Sequence, residues 1–207
     1  MVCDAFDLMI TTRCERRCPD CCCGLWRGGV PWDVTPAEAG RVAAWAGPVR
    51  TLYVTGGEPT MHPAFRQVVE AVWRSARAGR LILATEGSRV MDDLPALAMF
   101  DAVMLSHYSA ASGSHGEANT ATIQRLRRAV LRGPRVLVRR QPHRRGDAGR
   151  SEPCGRARRT AAYCQGRVWG CCVGPGRALA DSALMGPGWR EDVGRLYLDC
   201  RGCPFAV

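Results

Sequence analysis

Seven of the twelve cysteines in this 207-residue chain fall into two sets whose spacing suits metal ligation. The first is Cys14-Glu15-Arg16-Arg17-Cys18-Pro19-Asp20-Cys21, a Cys-x3-Cys-x2-Cys run. Three thiolates on one short loop can hold three irons of a 4Fe-4S cube and leave the fourth open to a ligand, and the same three could form part of a zinc site. The second set, Cys154, Cys171, Cys200 and Cys203, closes on a Cys-x2-Cys pair that serves zinc or an iron–sulfur cluster equally well. Cys22 and Cys23 offer competing thiolates at the first set, and Cys172 competes with Cys171 at the second. Acids replace the basic start of a secretory signal in Met1 to Asp7, so a cytoplasmic setting is expected. There thiols stay reduced, and clustered cysteines read as ligands before disulfides. All 29 basic residues are arginine, which excludes a lysine Schiff base or a lysine general base.

Such ligands need a scaffold that gathers loops at one end, and the hydrophobic pattern supplies it. Ala5 to Thr11 reads as an apolar strand running directly into the first cysteine set. Thr35, Pro36 and Glu38 form a helix start with a capping box, and Gly47-Pro48 ends that helix. Thr51 to Thr55 is strand-like and stops at Gly56-Gly57-Glu58-Pro59, after which Phe65, Val68, Val69 and Val72 recur at helical spacing. His62 reads as a helix-start residue. Arg80 to Thr85, Ala102 to Ser106 and Arg135 to Arg139 are further strands, with helices over Leu94 to Phe100 and Ala121 to Arg132 between them. This alternation predicts an α/β fold, a shortened partial (β/α) barrel of about five parallel strands with a small Cys-rich C-terminal appendage. Residues 1–140 make the barrel and 141–207 the appendage, which lacks the apolar residues for a core of its own and so depends on its ligands for order.

On the Cys14, Cys18, Cys21 spacing and the Gly56 to Pro59 turn, taken together and in order, the chain resembles the radical S-adenosylmethionine (SAM) superfamily. The resemblance implies a 4Fe-4S cluster on those three cysteines and SAM on the open iron. It also implies that the GGEP turn of Gly56, Gly57, Glu58 and Pro59 contacts the SAM amino group. Thr85-Glu86-Gly87-Ser88 resembles the family's Thr-Asn-Gly, with Glu86 in place of Asn. Asp20 stands where the family generally has an aromatic residue near the SAM adenine. Ser106 falls where the family places ribose contacts, His107 is a substrate-side candidate, and one of Arg139 and Arg140, with Arg139 the candidate, is placed to pair with the SAM carboxylate. The tail, with Cys154, then Gly166 and Cys171, then Cys200 and Cys203, resembles the Twitch form of the SPASM region, whose four cysteines close a second 4Fe-4S cluster.

The resemblance implies reductive cleavage of SAM to a 5′-deoxyadenosyl radical that takes hydrogen from substrate, with Glu58 and His107 at the reacting end. A second cluster with no open iron suits electron acceptance. The expected reaction is therefore a two-electron oxidation of a small polar metabolite, as in the radical SAM dehydrogenases of aminoglycoside biosynthesis, with a flavodoxin or ferredoxin-type reductant. The alternatives are modification of a ribosomally made peptide and a zinc-stabilised, non-enzymatic module that binds an anionic partner. Charge bears on the last. Thirteen arginines against two acids lie between Arg125 and Arg159, on an otherwise near-neutral chain. This segment suits an anionic substrate, but it has no aromatic residue between Tyr108 and Tyr163 on which bases could stack, which argues against nucleic acid. No apolar run approaches the roughly 18 residues of a membrane span, so no membrane partner is expected.

Overall fold

The computed structural model describes residues 5–16, 30–108, 116–129, 134–141, 160–164 and 167–169. Strand and helix alternate as β1 (Ala5–Met9), α1 (Pro36–Ala46), β2 (Thr51–Thr55), α2 (Phe65–Ser75), β3 (Leu81–Thr85), α3 (Leu94–Leu97), β4 (Ala102–Tyr108), α4 (Gly116–Ala129) and β5 (Arg135–Gln141). The Thr35 hydroxyl accepts from the Glu38 N–H at 3.2 Å with Pro36 in the first turn, the helix start that the sequence spells out. The α4 helix begins at Gly116, ahead of the Ala121 expected from its apolar spacing.

Strands β1 to β5 are parallel neighbours in the order β5-β4-β3-β2-β1, the five-stranded core of a partial barrel. Two further strands, β6 (Thr160–Cys164) and β7 (Arg167–Trp169), continue the sheet beyond β1. Strand β6 runs parallel to β1, with Leu8 opposite Tyr163, and β7 folds back antiparallel on β6. About five parallel strands were expected for the barrel and are present, and among the described residues the sheet extends to seven. The extra pair escaped the sequence pattern because Thr160-Ala161-Ala162-Tyr163-Cys164 has a single large apolar side chain and pairs with a strand distant in sequence. That side chain, Tyr163, is fully buried in the main core and donates its hydroxyl to Glu38 of α1.

The core lies between the sheet and its helices. Phe6, Leu8, Leu52, Val54, Leu83 and Val103 from the strands meet Val42 and Ala43 of α1 and Val68, Val69 and Val72 of α2, all buried. In β1 and β2 burial alternates, so one face is sealed under α1 and α2 while Asp7, Thr51, Tyr53 and Thr55 on the other face stay partly open. Because the five strands are parallel, their C-terminal ends fall on one edge, and the first cysteine set, the GGEP turn and the Thr85 turn all leave from that edge. No helix among the described residues is long and apolar enough to cross a membrane.

Candidate active site

The loop that carries the first cysteine set is closed at its base. Past β1 the chain bridges back antiparallel at Thr11 and Asp33. The Thr12 N–H donates to the Trp32 carbonyl at 2.9 Å, the Trp32 N–H to the Thr12 hydroxyl at 2.8 Å, and the Val34 N–H to the Ile10 carbonyl at 2.9 Å. Asp33 locks this base, accepting from the Thr11 hydroxyl at 2.6 Å and from Arg13 Nε through both oxygens. Burial alone would raise the Asp33 carboxyl. The hydrogen bonds from Arg13 and Thr11 and the charge of Arg13 outweigh it and hold the group below its ordinary value. His62 lies below the same base. Its Nε2 bonds the Val34 carbonyl at 2.8 Å and its Nδ1 accepts from the Ala64 N–H at 3.0 Å, an arrangement that requires the neutral ring. Burial drives its pKa down, against the pull of the Val34 carbonyl and Asp33.

The Gly56 to Pro59 turn prolongs the pairing of β2 with β1 into the start of that loop. The Gly57 N–H donates to the Thr11 carbonyl at 2.8 Å and the Glu58 N–H to the Arg13 carbonyl at 2.7 Å. The approach is too close for any side chain. A Cβ on Gly56 would lie 2.5 Å from the Thr11 carbonyl oxygen, and one on Gly57 would lie 2.3 Å from that of Arg13 and 2.9 Å from Cβ of Cys14. Paired glycines are therefore what lets the second βα turn lie against the backbone of Thr11 and Arg13 that leads into the first cysteine.

Glu58 is 1% exposed. Its Oε1 accepts from the Thr60 N–H at 3.1 Å and from the hydroxyls of Thr60 and Thr85, each at 2.6 Å, while its Oε2 accepts from the Glu86 N–H at 2.7 Å. Burial pushes this carboxyl up, the bonds from Thr60, Thr85 and Glu86 pull it down, and the Glu86 charge adds to the push. Three of the four donors converge on Oε1 and one on Oε2, so both carboxylate oxygens are engaged. Glu58 thus ties the β2 and β3 turns together, a role the motif alone does not reveal. Thr85 is buried beside it and spends its hydroxyl on Glu58 and on the Gly87 N–H, at 2.9 Å.

Two ion pairs join the cysteine loop to the β3 turn. Arg16 Nε meets Glu86 Oε2 at 2.6 Å, and Arg89 meets Glu15 at 3.0 Å. In the sequence Arg16 reads as filler between ligands and Glu86 as a departure from the family's Asn. Their opposite charges were the available signal, but only the fold shows that the two turns are adjacent. On the other flank, β4–β5 register places Ser106 opposite Arg139 and His107 opposite Arg140, at the same C-terminal edge. His107 and Arg139 are described by their backbone.

The structure therefore brings together Cys14, Gly56, Gly57, Glu58, Pro59 and Thr85, with Ser106, His107 and Arg139 along the same edge. Cys18, Cys21, Cys154, Cys171, Cys200 and Cys203 lie outside the described residues. Among the described residues no three His, Cys, Asp or Glu side chains stand close enough to hold a metal. The one described thiol of the first set, Cys14, is half-buried at the end of the β1 extension, packed against the glycine turn. That placement fits a ligand presented at the ligand-binding edge of the sheet.

No family model matches the chain, and no curated protein matches it. Among solved structures it is similar to BtrN, in an open conformation, at a TM-score of 0.59 and 14% identity over 99% of this chain and 84% of that one. It aligns more loosely with Streptococcus suis SuiB in complex with its precursor peptide SuiA, at a TM-score of 0.41 and 10% identity over 96% of this chain and 65% of that one. The SAM-bound form of SuiB aligns at the same score and identity. The BtrN likeness is one of fold, and the SuiB likeness is too loose to carry any argument about function.

Proposed function

We propose that this chain is a radical SAM enzyme that oxidises a small polar substrate by two electrons. The observation that carries the reading is the fit of Gly56 and Gly57 against Thr11, Arg13 and Cys14, which places the GGEP turn beside the first cysteine of the Cys-x3-Cys-x2-Cys run. The fold shared with BtrN supports the partial-barrel scaffold on which this reading rests. Cys14, Cys18 and Cys21 would hold a 4Fe-4S cluster. Cys154, Cys171, Cys200 and Cys203 would hold a second in a Twitch-like region spanning 141–207. When bound, these groups supply the electron that cleaves SAM and an acceptor for the electron left on the oxidised substrate.

The chain's own residues do the positioning. The closed base at Thr11 and Asp33 fixes where the cysteine loop leaves the sheet. The Gly57 and Glu58 N–H groups bond the backbone of Thr11 and Arg13 directly, and the Glu58–Thr85 tie holds the β3 turn beside them. Ser106 and Arg139, at paired register positions, would meet the ribose and carboxylate of SAM, with His107 on the substrate side. A flavodoxin or ferredoxin would be the reductant, in the cytoplasm.

The test is anaerobic reconstitution. Iron and sulfide near eight per chain are expected, and with dithionite and SAM the protein should release 5′-deoxyadenosine even without substrate. Cys14→Ala, Cys18→Ala and Cys21→Ala should each abolish that release. Zinc without sulfide, or cleavage persisting in these variants, would overturn the assignment.

A further inference from the structure

The cysteine loop and the β3 turn exchange charges across a short gap, and this pairing does something the GGEP turn does not. Arg16 sits midway between Cys14 and Cys18, and its side chain is 11% exposed against 10% for its partner Glu86. Glu86 is itself held on every side. Its Oε2 faces Arg16 at 2.6 Å, its Oε1 accepts from the Ser88 N–H at 3.0 Å, and its own N–H donates to Glu58 Oε2 at 2.7 Å. A continuous path therefore runs from the middle of the ligand spacing, through Glu86, to the buried Glu58 that Thr60 and Thr85 hold in place. The neighbouring pair, Arg89 with Glu15, joins the same two turns but is 50% and 59% exposed, where solvent screens it.

We propose that the Arg16–Glu86 ion pair is a latch that seats the cysteine loop on the Glu58 strut, making Arg16 and Glu86 positioning residues for the first cluster. The proposal rests on the radical SAM reading for its purpose, and on the geometry for its existence. Buried ion pairs contribute little net stability, and their best-attested use is to fix register. That is what a loop bearing three ligands requires. The backbone bonds at Gly57 and Glu58 fix the first residues of the loop, through Thr11 and Arg13, and the Glu15 pair that reaches further is screened. The latch acts between the first two ligands, beyond the reach of those backbone bonds. An amide at position 86, as in the family's Thr-Asn-Gly, would lack the charge that holds Arg16. The latch is therefore a property of this chain's own pairing.

The experiment compares wild type with Glu86→Gln, Arg16→Gln, the charge-swapped double variant Arg16→Glu with Glu86→Arg, and Arg89→Gln. Glu86→Gln keeps the backbone N–H that serves Glu58. On the reconstituted proteins, iron loss to a chelator should accelerate about fivefold or more in each Arg16 or Glu86 single variant, as for a buried pair stripped of one partner. The charge swap should recover part of that loss, and Arg89→Gln should match wild type. The EPR spectrum of the reduced cluster should also lose its single response to SAM in the Glu86→Gln protein. On the metal-free proteins, trypsin should cut after Arg16 faster in Glu86→Gln than in wild type, a readout independent of any cluster. Equal chelation rates, spectra and cleavage in wild type and Glu86→Gln would overturn the latch. Wild-type protein that binds no iron or sulfide, yet is protected at Arg16 relative to Glu86→Gln, would overturn the radical SAM reading and leave the latch standing. If Glu86→Gln fails to fold, chelation and EPR in Arg16→Gln decide the question.

Discussion

The two ends of the same parallel strands are built on different principles. At the C-terminal ends of β1, β2 and β3, charged and hydroxyl side chains are paired to one another across turns: Asp33 with Arg13 and Thr11, Glu58 with Thr60 and Thr85, Glu86 with Arg16. At the N-terminal ends of β2 and β3 the joints are mostly backbone. The Gly79 N–H donates to the Val49 carbonyl at 3.0 Å and the Leu52 N–H to the Arg80 carbonyl at 2.9 Å, while the side chains of Arg50, Arg77 and Arg80 are exposed. Asp101 adds a side-chain bond there, its carboxylate accepting from the Leu81 N–H at 2.7 Å. Backbone pairing suffices to hold a sheet together. Side-chain networks are needed where a turn must sit in one place, because each buried polar group tolerates few arrangements that satisfy it.

The sharpest way to break this comparison is to empty the centre of the polar end. Glu58→Ala strips the acceptor from two N–H groups and two hydroxyls, and should cost about 2–4 kcal/mol by chemical denaturation. Arg80→Ala at the opposite end should stay within about 0.5 kcal/mol of wild type. Equal losses at both ends would erase the distinction.

A smaller effect is expected from crowding. In Gly57→Ala the new methyl group meets the Arg13 carbonyl and Cys14, so the turn must shift, at about 1–3 kcal/mol. The same shift should separate the GGEP turn from the cysteine loop, so iron retention after reconstitution should fall even in molecules that remain folded. Wild-type iron content and wild-type stability together would show that the close approach is dispensable.

The smallest effect concerns pH and sharpens the comparison at His62. Its pKa is lowered in the fold, so the unfolded chain takes up a proton first as pH falls below the ordinary imidazole value of about 6.5. Stability from the neutral ring is present above that value and is lost as pH drops from there toward the folded pKa. His62→Gln should flatten this part of the stability profile, measured by thermal unfolding between roughly pH 5 and 7. A slope unchanged in the variant would assign the dependence elsewhere.

Much of the frame was legible because local signals agree with it. The Thr35, Pro36 and Glu38 start of α1 and the Phe65, Val68, Val69, Val72 stripe of α2 depend only on near neighbours in sequence, and both stand where they were expected. His62 reads as a helix-start residue, but α2 starts from Ala64 with no side-chain cap, and the His62 ring is buried against the Val34 carbonyl. What could not be read depends on distant partners. The β6 strand is defined by its pairing with β1 and by Tyr163, not by an alternating pattern of its own. For the site, the paired glycines and Thr85 could be singled out by motif. The four donors gathered on Glu58 could not, because a motif names a residue without naming what already surrounds it. The Arg16–Glu86 pair was hidden for the same reason.

The position of β1, flanked by β2 on one side and β6 on the other, has a consequence for biosynthesis. Strand β1 leaves the ribosome well before β6 and cannot have its second edge covered until Thr160 to Cys164 have been made. At about 5–20 residues per second, that leaves the β6-facing edge of an apolar strand unpaired for roughly 8–30 s. Nascent chains stalled before Thr160 should thus associate through β1, whereas chains released after Trp169 can close the sheet themselves. Yield in a heterologous host would then depend on how fast the arginine-rich stretch before β6 is translated.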